Sequence, residues 1–545
     1  MTKVAYNPAK YYTYAEYVEL LNQWHAAYPE MTRVYSIGKT YEGREMWLIE
    51  ITNHATGCAD DKPGYYIDGN FHAGEVTGSA VALYTANYLL ENYGKKDDVT
   101  YLLDHRSFYI LPRVSIDGSE VYLHTPYIPR SSIRVWPFEE EQDGLHAEDM
   151  NGDGWITQMR IKDENGDWKV SEKDPRLMLR RGPDDFGGEY YRVYMEGKLV
   201  NFDGVEVTMA RPKWGLDINR NSPANWEIDS KQRGAGPYPF SEPELKAVAD
   251  FIISKKNLAG AMSYHTSGGV HLRPFGTKRD DRMPGRDADY YKTLGARGEE
   301  FSGYKQVNTF EGYSMGRPLY GLFMDWVYEH RGLLCWSTEL WNMAATAGVE
   351  KTDIRSMRNK TPQEIEADGL KLLEWNDKEL NGEGFIPWTP FNHPDLGEVE
   401  IGGWKTKYVR QNPPPKYLEA ECDKNMRFTF VHALALPEIG IRKVKVEQVG
   451  EGLYRISAGV INKGYLPSSG SDMAARINVT QPVEATIAGE GINLPVGKEK
   501  IEIGHLPGRA EKKVEWLVQA PAGSKLTITA HGHRAGKATV EVELK

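Results

Sequence analysis

The stretch DGNFHAGEVTGS, residues 68–79, decides how this chain is read. It is entered by GYYIDGN (64–70), a short apolar run with aromatic and β-branched residues that predicts a buried strand. It leaves through GSAVALYTANYLLENYG (78–94), where Val81, Tyr84 and Tyr88 recur at helical spacing and a glycine closes the segment. A strand–turn–helix junction is where an α/β fold places its ligand-binding residues. The turn itself carries His72 and Glu75, three apart, a spacing that lets both side chains reach one cation. Two histidines and a glutamate make an open zinc site with a position left for water. An HxxE pair alone also reads as a surface His and Glu at a turn, and the helix-borne HExxH pattern is absent.

Outward from this point, residues 1–400 alternate between strand-like and helix-like segments. SFYILPRV (107–114) and GLLCWSTELW (332–341) predict strands. SEPELKAVADFIIS (241–254) predicts a helix with Ser241 and Glu244 as a capping box and Pro243 in its first turn. Such alternation implies an α/β domain, a mixed β-sheet flanked by helices, over residues 1–410. Residues 131–214 are polar and glycine-rich and read as an insertion with a small β-structure of its own. QNPPPKYLEAECDKN (411–425) has linker composition, placing a boundary at 411–440. From 441 to 545, apolar and polar residues alternate between Gly, Asn and Pro turns, the texture of an all-β, Ig-like sandwich serving as an accessory domain.

Composition narrows the function. Of 545 residues, 40% are hydrophobic and 26% charged, which excludes wholesale disorder. A net charge of −11 argues against a general nucleic-acid binder, which needs a basic face. No transmembrane segment is expected, since no run of 18 apolar residues occurs. Cys58, Cys335 and Cys422 are too few for a disulfide framework. The N-terminus lacks an apolar h-region. The expected compartment is therefore cytoplasmic, or secreted or cell-envelope if a signal peptide has been removed. Oligomeric state is left open.

Further motifs, in order, make residues 10–400 resemble the M14 zinc carboxypeptidases of the carboxypeptidase A type. After HxxE comes VSIDGSEVY (114–122), an N-P-D-G-like turn, with Arg130 thirteen residues beyond Asp117. GLDINRNSPANW (215–226) matches D-x-N-R-N and places Asn219 and Arg220. AMSYHTSGG matches S-x-H and places His265; CWSTELW places Glu339, and MDWVYEHRG (324–332) matches the segment before it.

The resemblance implies Zn²⁺ held by His72, Glu75 and His265, with Glu339 as general base and acid. Arg130 would stabilise the oxyanion, with Arg134 as the nearby alternative, and Asn219 and Arg220 would grip a terminal carboxylate. The implied substrate is a peptide with a free C-terminal carboxylate. The alternatives are a zinc amidase or deacylase, a peptidoglycan stem-peptide peptidase, or a non-catalytic peptide- or glycan-binding protein on the same fold. Many family members carry arginine between the two ligands, where this chain has Ala73 and Gly74. The family's flexible-loop tyrosine would fall at Arg317, leaving the flanking Tyr313 and Tyr320 as candidates, and the neutral Met324 in the specificity pocket implies apolar C-terminal residues.

One motif stands apart. EDMNGDGWITQMR (148–160) sets Asp149, Asn151 and Asp153 as the first half of an EF-hand-like loop, a Ca²⁺ candidate if a carboxylate arrives from elsewhere. Position twelve is Arg160, and the competing reading is a hairpin turn rich in Asn, Asp and Gly.

Overall fold

A computed structural model describes residues 4–352 and 354–545. Its centre is an eight-stranded mixed sheet: β1 (Thr32–Lys39), β2 (Glu45–Ile51), β3 (Gly64–Gly69), β4 (Ser107–Leu111), β5 (Leu258–Thr266), β6 (Val270–Arg273), β7 (Lys305–Asn308) and β8 (Leu334–Leu340). The spatial order is β1-β2-β4-β3-β5-β8-β6-β7. Every residue of β3 and β5 is buried, because helices cover both faces of the sheet. Strands buried on both faces read as continuous apolar runs, which is why the β3 segment stood out in the sequence. One face packs Trp24, Ile67, Leu83 and Trp336, the other Leu48, Tyr66, Leu245 and Trp326.

β3, β5 and β8 run parallel, so their C-terminal ends open on one edge of the sheet. The register sets His265 of β5 directly beside Glu339 of β8. The Val76–Asn92 helix lies hard against this edge. A Cβ on Gly69 would sit 2.4 Å from the Gly78 carbonyl oxygen, and one on Gly78 2.6 Å from that of Tyr264. Glycine at both positions lets the helix approach closely enough to aim Glu75, its N-cap residue, at the strand ends.

Three sequence expectations are corrected. The segment 411–440 is no linker: Pro415–Ala435 is a helix packed on the Val76–Asn92 and Gly285–Ser302 helices, with Leu418, Cys422, Met426 and Phe428 buried. Proline is tolerated in a first turn, whose N–H groups have no intrahelical partner; a proline cluster there imitates a boundary. The capping box at Ser241 and Glu244 does not form. Glu242 is the N-cap of the Pro243–Ser254 helix, the Ser241 hydroxyl donates to Glu242, and Glu244 accepts the Tyr41 N–H at 2.9 Å. The 131–214 insertion is not self-contained. Its strands Gln158–Lys162, Tyr191–Met195, Trp168–Val170 and Met178–Arg180 join Gly397–Trp404 and Phe385–His393 in one six-stranded sheet.

The C-terminal region is all-β, with two four-stranded antiparallel sheets closing on Ile456, Val514, Trp516, Ile487 and Ile528. It docks on the α/β region: Arg534 donates to the Gly332 and Ser469 carbonyls at 3.1 and 3.0 Å, and also to that of Arg331 at 2.5 Å. Asp287 accepts the Asp472 and Met473 N–H groups at 2.8 and 2.9 Å. No helix among the described residues is long and apolar enough to cross a membrane.

Candidate metal centre and substrate cleft

The turn after β3 presents His72 and Glu75, and the end of β5 presents His265, all buried. Their nearest ligand atoms lie within 4.8 Å of one another, the only such group of three among the described residues. His72 Nδ1 is 2.8 Å from Glu75 Oε1, and His265 Nδ1 is 3.0 Å from Glu75 Oε2. The two Nδ1 atoms face each other at 3.2 Å.

The outer ring nitrogens are occupied. His72 Nε2 is 3.0 Å from Asp217 Oδ1. His265 Nε2 is 3.3 Å from Ser263 Oγ, which donates to buried Asp68 at 2.6 Å. A proton spent on Nε2 leaves the Nδ1 lone pair free to bind an ion, the arrangement that carboxylate–histidine pairs impose on metal ligands. Two inward lone pairs and one carboxylate are the donor set of an open zinc site, so the residues present fit a Zn²⁺ ion. Burial works against the charged form of Glu75, but His72 and His265 outweigh it and hold its carboxyl far below the usual range. Burial likewise opposes charge on His265, and its hydrogen bond to the Glu75 carboxylate more than offsets it.

The other expected residues gather around this centre. Arg130, Asn219, Arg220, Tyr313, Met324 and Glu339 line one cleft together with His72 and His265. Burial, reinforced by the charge of Glu75, pushes the Glu339 carboxyl up to about 7. Arg130 donates to Asp217 at 3.0 Å and to Glu75 at 3.3 Å. Arg134, its alternative, is committed elsewhere, paired with buried Glu242. Asn219 uses its carbonyl oxygen to accept the Phe323 N–H at 2.9 Å, which leaves its NH₂ to donate. Arg220 donates to the Asn219 carbonyl at 2.7 Å.

Tyr313 lines the cleft and Tyr320 does not; the charge of Glu339, then burial, raises the Tyr313 phenol above its ordinary value. Leu272, Leu319, Leu322 and buried Met324 form an apolar wall. At Gly74, a Cβ would meet the Gln411 amide nitrogen at 2.8 Å and the Tyr122 ring at 2.9 Å. The 406–412 segment fills the space a side chain between the two ligands would need.

Sequence reasoning missed Asp217, although it is the first residue of the D-x-N-R-N motif. It also missed the Asp68–Ser263 support behind His265, which the spacing of S-x-H carries. The calcium expectation is not supported. Asp149 turns its carboxylate onto the Gly152, Asp153 and Gly154 N–H groups at 2.8–3.2 Å, and Asn151 and Asp153 bond within the same exposed turn.

The arrangement defines a buried cluster of two histidines and one carboxylate with a second carboxyl group, Glu339, beside it. The chain belongs to the zinc carboxypeptidase family, whose model matches residues 17–351. A domain of unknown function, DUF8731, matches residues 438–543. Carboxypeptidase D of Drosophila melanogaster is 34% identical over 18% of this chain and 7% of its own length. Human carboxypeptidase A6 is 22% identical over 60% of this chain and 59% of its own. The chain thus spans less than two thirds of these relatives. Among solved structures, thrombin-activatable fibrinolysis inhibitor aligns at 17% identity with a TM-score of 0.45, covering 78% of this chain and 74% of that one.

Proposed function

We propose that this protein is a zinc-dependent metallocarboxypeptidase that removes C-terminal residues from peptides. The observation that carries this reading is one cleft holding the His72, Glu75 and His265 cluster, the Glu339 carboxyl and two side chains with donors suited to an anion, Asn219 and Arg220.

Zinc held by His72, Glu75 and His265 supplies Lewis-acid chemistry, acidifying water and polarising a carbonyl. Glu339, with its carboxyl poised near neutrality, takes a proton from the attacking water and returns one to the leaving amine. Arg130 brings a permanent positive charge to the place where the carbonyl oxygen becomes an anion. Arg220 and the Asn219 NH₂ bind the terminal carboxylate, for which the planar guanidinium fork is suited. An internal peptide bond offers no such anion, so the site acts on chain ends. Tyr313 stands over the same cleft as a hydrogen-bond donor. The apolar wall of Leu272, Leu319, Leu322 and Met324 selects a hydrophobic C-terminal side chain.

The test is mass-spectrometric cleavage of a mixed peptide panel with free and amidated C-termini. Stepwise loss of apolar C-terminal residues from the free acids only, abolished by a chelator and restored by zinc, is the expected result. Cleavage of amidated peptides at the same rate would overturn it.

A further inference from the structure

A segment fastened beside the metal cluster carries Arg410, a cation with no carboxylate partner among the described residues. The turn Thr406–Gln411 is fastened at both ends to the catalytic edge of the sheet. On one side the Val409 carbonyl accepts the Trp341 indole N–H at 2.7 Å, two residues past Glu339. On the other, Asn412 donates to the Gly74 carbonyl at 2.8 Å and accepts the Thr77 N–H at 3.1 Å, while the Gln411 amide packs over Gly74 between the two metal ligands. These anchors belong to the ends of β8 and β3, which flank β5 and its His265. Two interstrand spacings, about 10 Å, separate them. Arg410 lies between the anchors, on the same edge as the metal cluster.

Arg410 is exposed, and no carboxylate among the described residues pairs with it. Protein crowded around it, with no charge partner to offset the effect, holds its pKa below the ordinary arginine value. The nearby Lys405 also has no carboxylate partner among the described residues and rests 4.6 Å above the Trp155 ring. In a chain with 77 acidic and 66 basic residues, cations left unpaired beside a cleft are available for an anion from outside. The pocket that would hold the terminal carboxylate is built without residues 405–412. The anchors set this segment beside the metal cluster and outside that pocket, a position open to the part of a peptide upstream of the scissile bond.

We propose that Arg410 forms a subsite for a carboxylate side chain on the residue upstream of the scissile bond, so that the preferred substrates are peptides acidic just before an apolar C-terminus. The proposal rests on the carboxypeptidase reading and adds a substrate class to it.

The experiment compares kcat/KM of the zinc-loaded full chain on three peptides that share an apolar C-terminal residue and carry Glu, Gln or Lys immediately upstream. The expected preference for Glu over Gln is about tenfold, the value of one charge-assisted contact in a solvent-open cleft. In Arg410→Gln the Glu-to-Gln ratio falls to about one, and in Arg410→Glu the Lys peptide becomes the best of the three. Because Arg410 is exposed, unchanged thermal unfolding of both variants is expected alongside. Cleavage of all three peptides with no Glu preference, or a preference that survives in Arg410→Gln, overturns the subsite and leaves the carboxypeptidase reading intact. Failure to cleave any of them overturns that reading and the subsite with it.

Discussion

One Asp217 oxygen meets His72 Nε2 at 3.0 Å while the other accepts the Arg130 Nε proton at 3.0 Å. A single buried carboxylate therefore orients a candidate metal ligand and aims the arginine proposed for the oxyanion. Burial opposes its charge, but Arg130, Arg220 and His72 together keep it ionised well below the usual aspartate range. Asp217→Asn retains the shape and loses the charge. The substitution should weaken zinc binding by about 10- to 100-fold, the range for such supporting carboxylates, as read by chelator competition. Unchanged affinity would show that the His72 ring needs no help from Asp217.

Glu339 is not a member of the metal cluster, yet it stands beside His265 in strand register. Glu339→Gln should therefore keep full zinc stoichiometry while lowering kcat by about 10²–10⁴-fold, the contribution of a positioned general base. Metal analysis run beside the kinetics separates the roles, since loss of zinc from the variant would make Glu339 a ligand.

Arg220 and Asn219 are the residues proposed to bind a free C-terminus. Arg220→Met should raise KM for free-acid peptides by about 100-fold, roughly 3 kcal/mol for a charge-assisted pair. Inhibition by amidated analogues, which lack the anion, should hardly change. A variant that loses affinity for both equally would assign Arg220 to shaping the cleft.

The parts of this centre that sequence could reveal are those encoded locally. His72 and Glu75 are three residues apart, and β3 and β8 announce themselves as apolar runs because both their faces are buried. The parts it hid depend on distant contacts. Asp217 reaches His72 across 145 positions, and Asn412 reaches Gly74 across 338. The Pro415–Ala435 helix was obscured by its own proline start, and the insertion's sheet needed strands from 385–404 to be completed. Local composition reports propensity; pairing across hundreds of residues is settled by the packed core.

Asp325 is buried behind the apolar wall, accepting the Gly276 N–H at 2.8 Å through one oxygen while the other has no partner. Burial pushes its carboxyl up to about 7, against 3.8 for the free side chain. The folded protein thus keeps this proton across a window where the unfolded chain has lost it, and its contribution to stability declines as pH rises from about 4 to about 7. Asp325→Asn removes the titration and preserves an acceptor for Gly276. The variant should match the parent near pH 4 and become more stable by a few kcal/mol, to order of magnitude, at neutral pH. Denaturant titrations across that range check it, and a difference independent of pH would show that Asp325 ionises freely in the folded state.

Arg534 ties the C-terminal sandwich to the turn between the Phe323–Glu329 helix, which carries Met324, and β8, which carries Glu339. Its guanidinium is almost fully buried and spends its hydrogen bonds on carbonyls from both sides, those of Gly332 and Arg331 and that of Ser469. Arg534→Met would leave these acceptors buried and unpaired, at a cost of about 2–4 kcal/mol. Because the lost bonds bridge two separate cores, the cost falls on their coupling rather than on either core alone. Calorimetry of the parent should give one cooperative transition, and the variant should resolve two, with the sandwich unfolding apart from the α/β region. A variant that still melts in one step at the parental temperature would place the coupling in the remaining contacts, chiefly Asp287 with the Asp472 and Met473 amides and Ser471 with the Gly332 carbonyl.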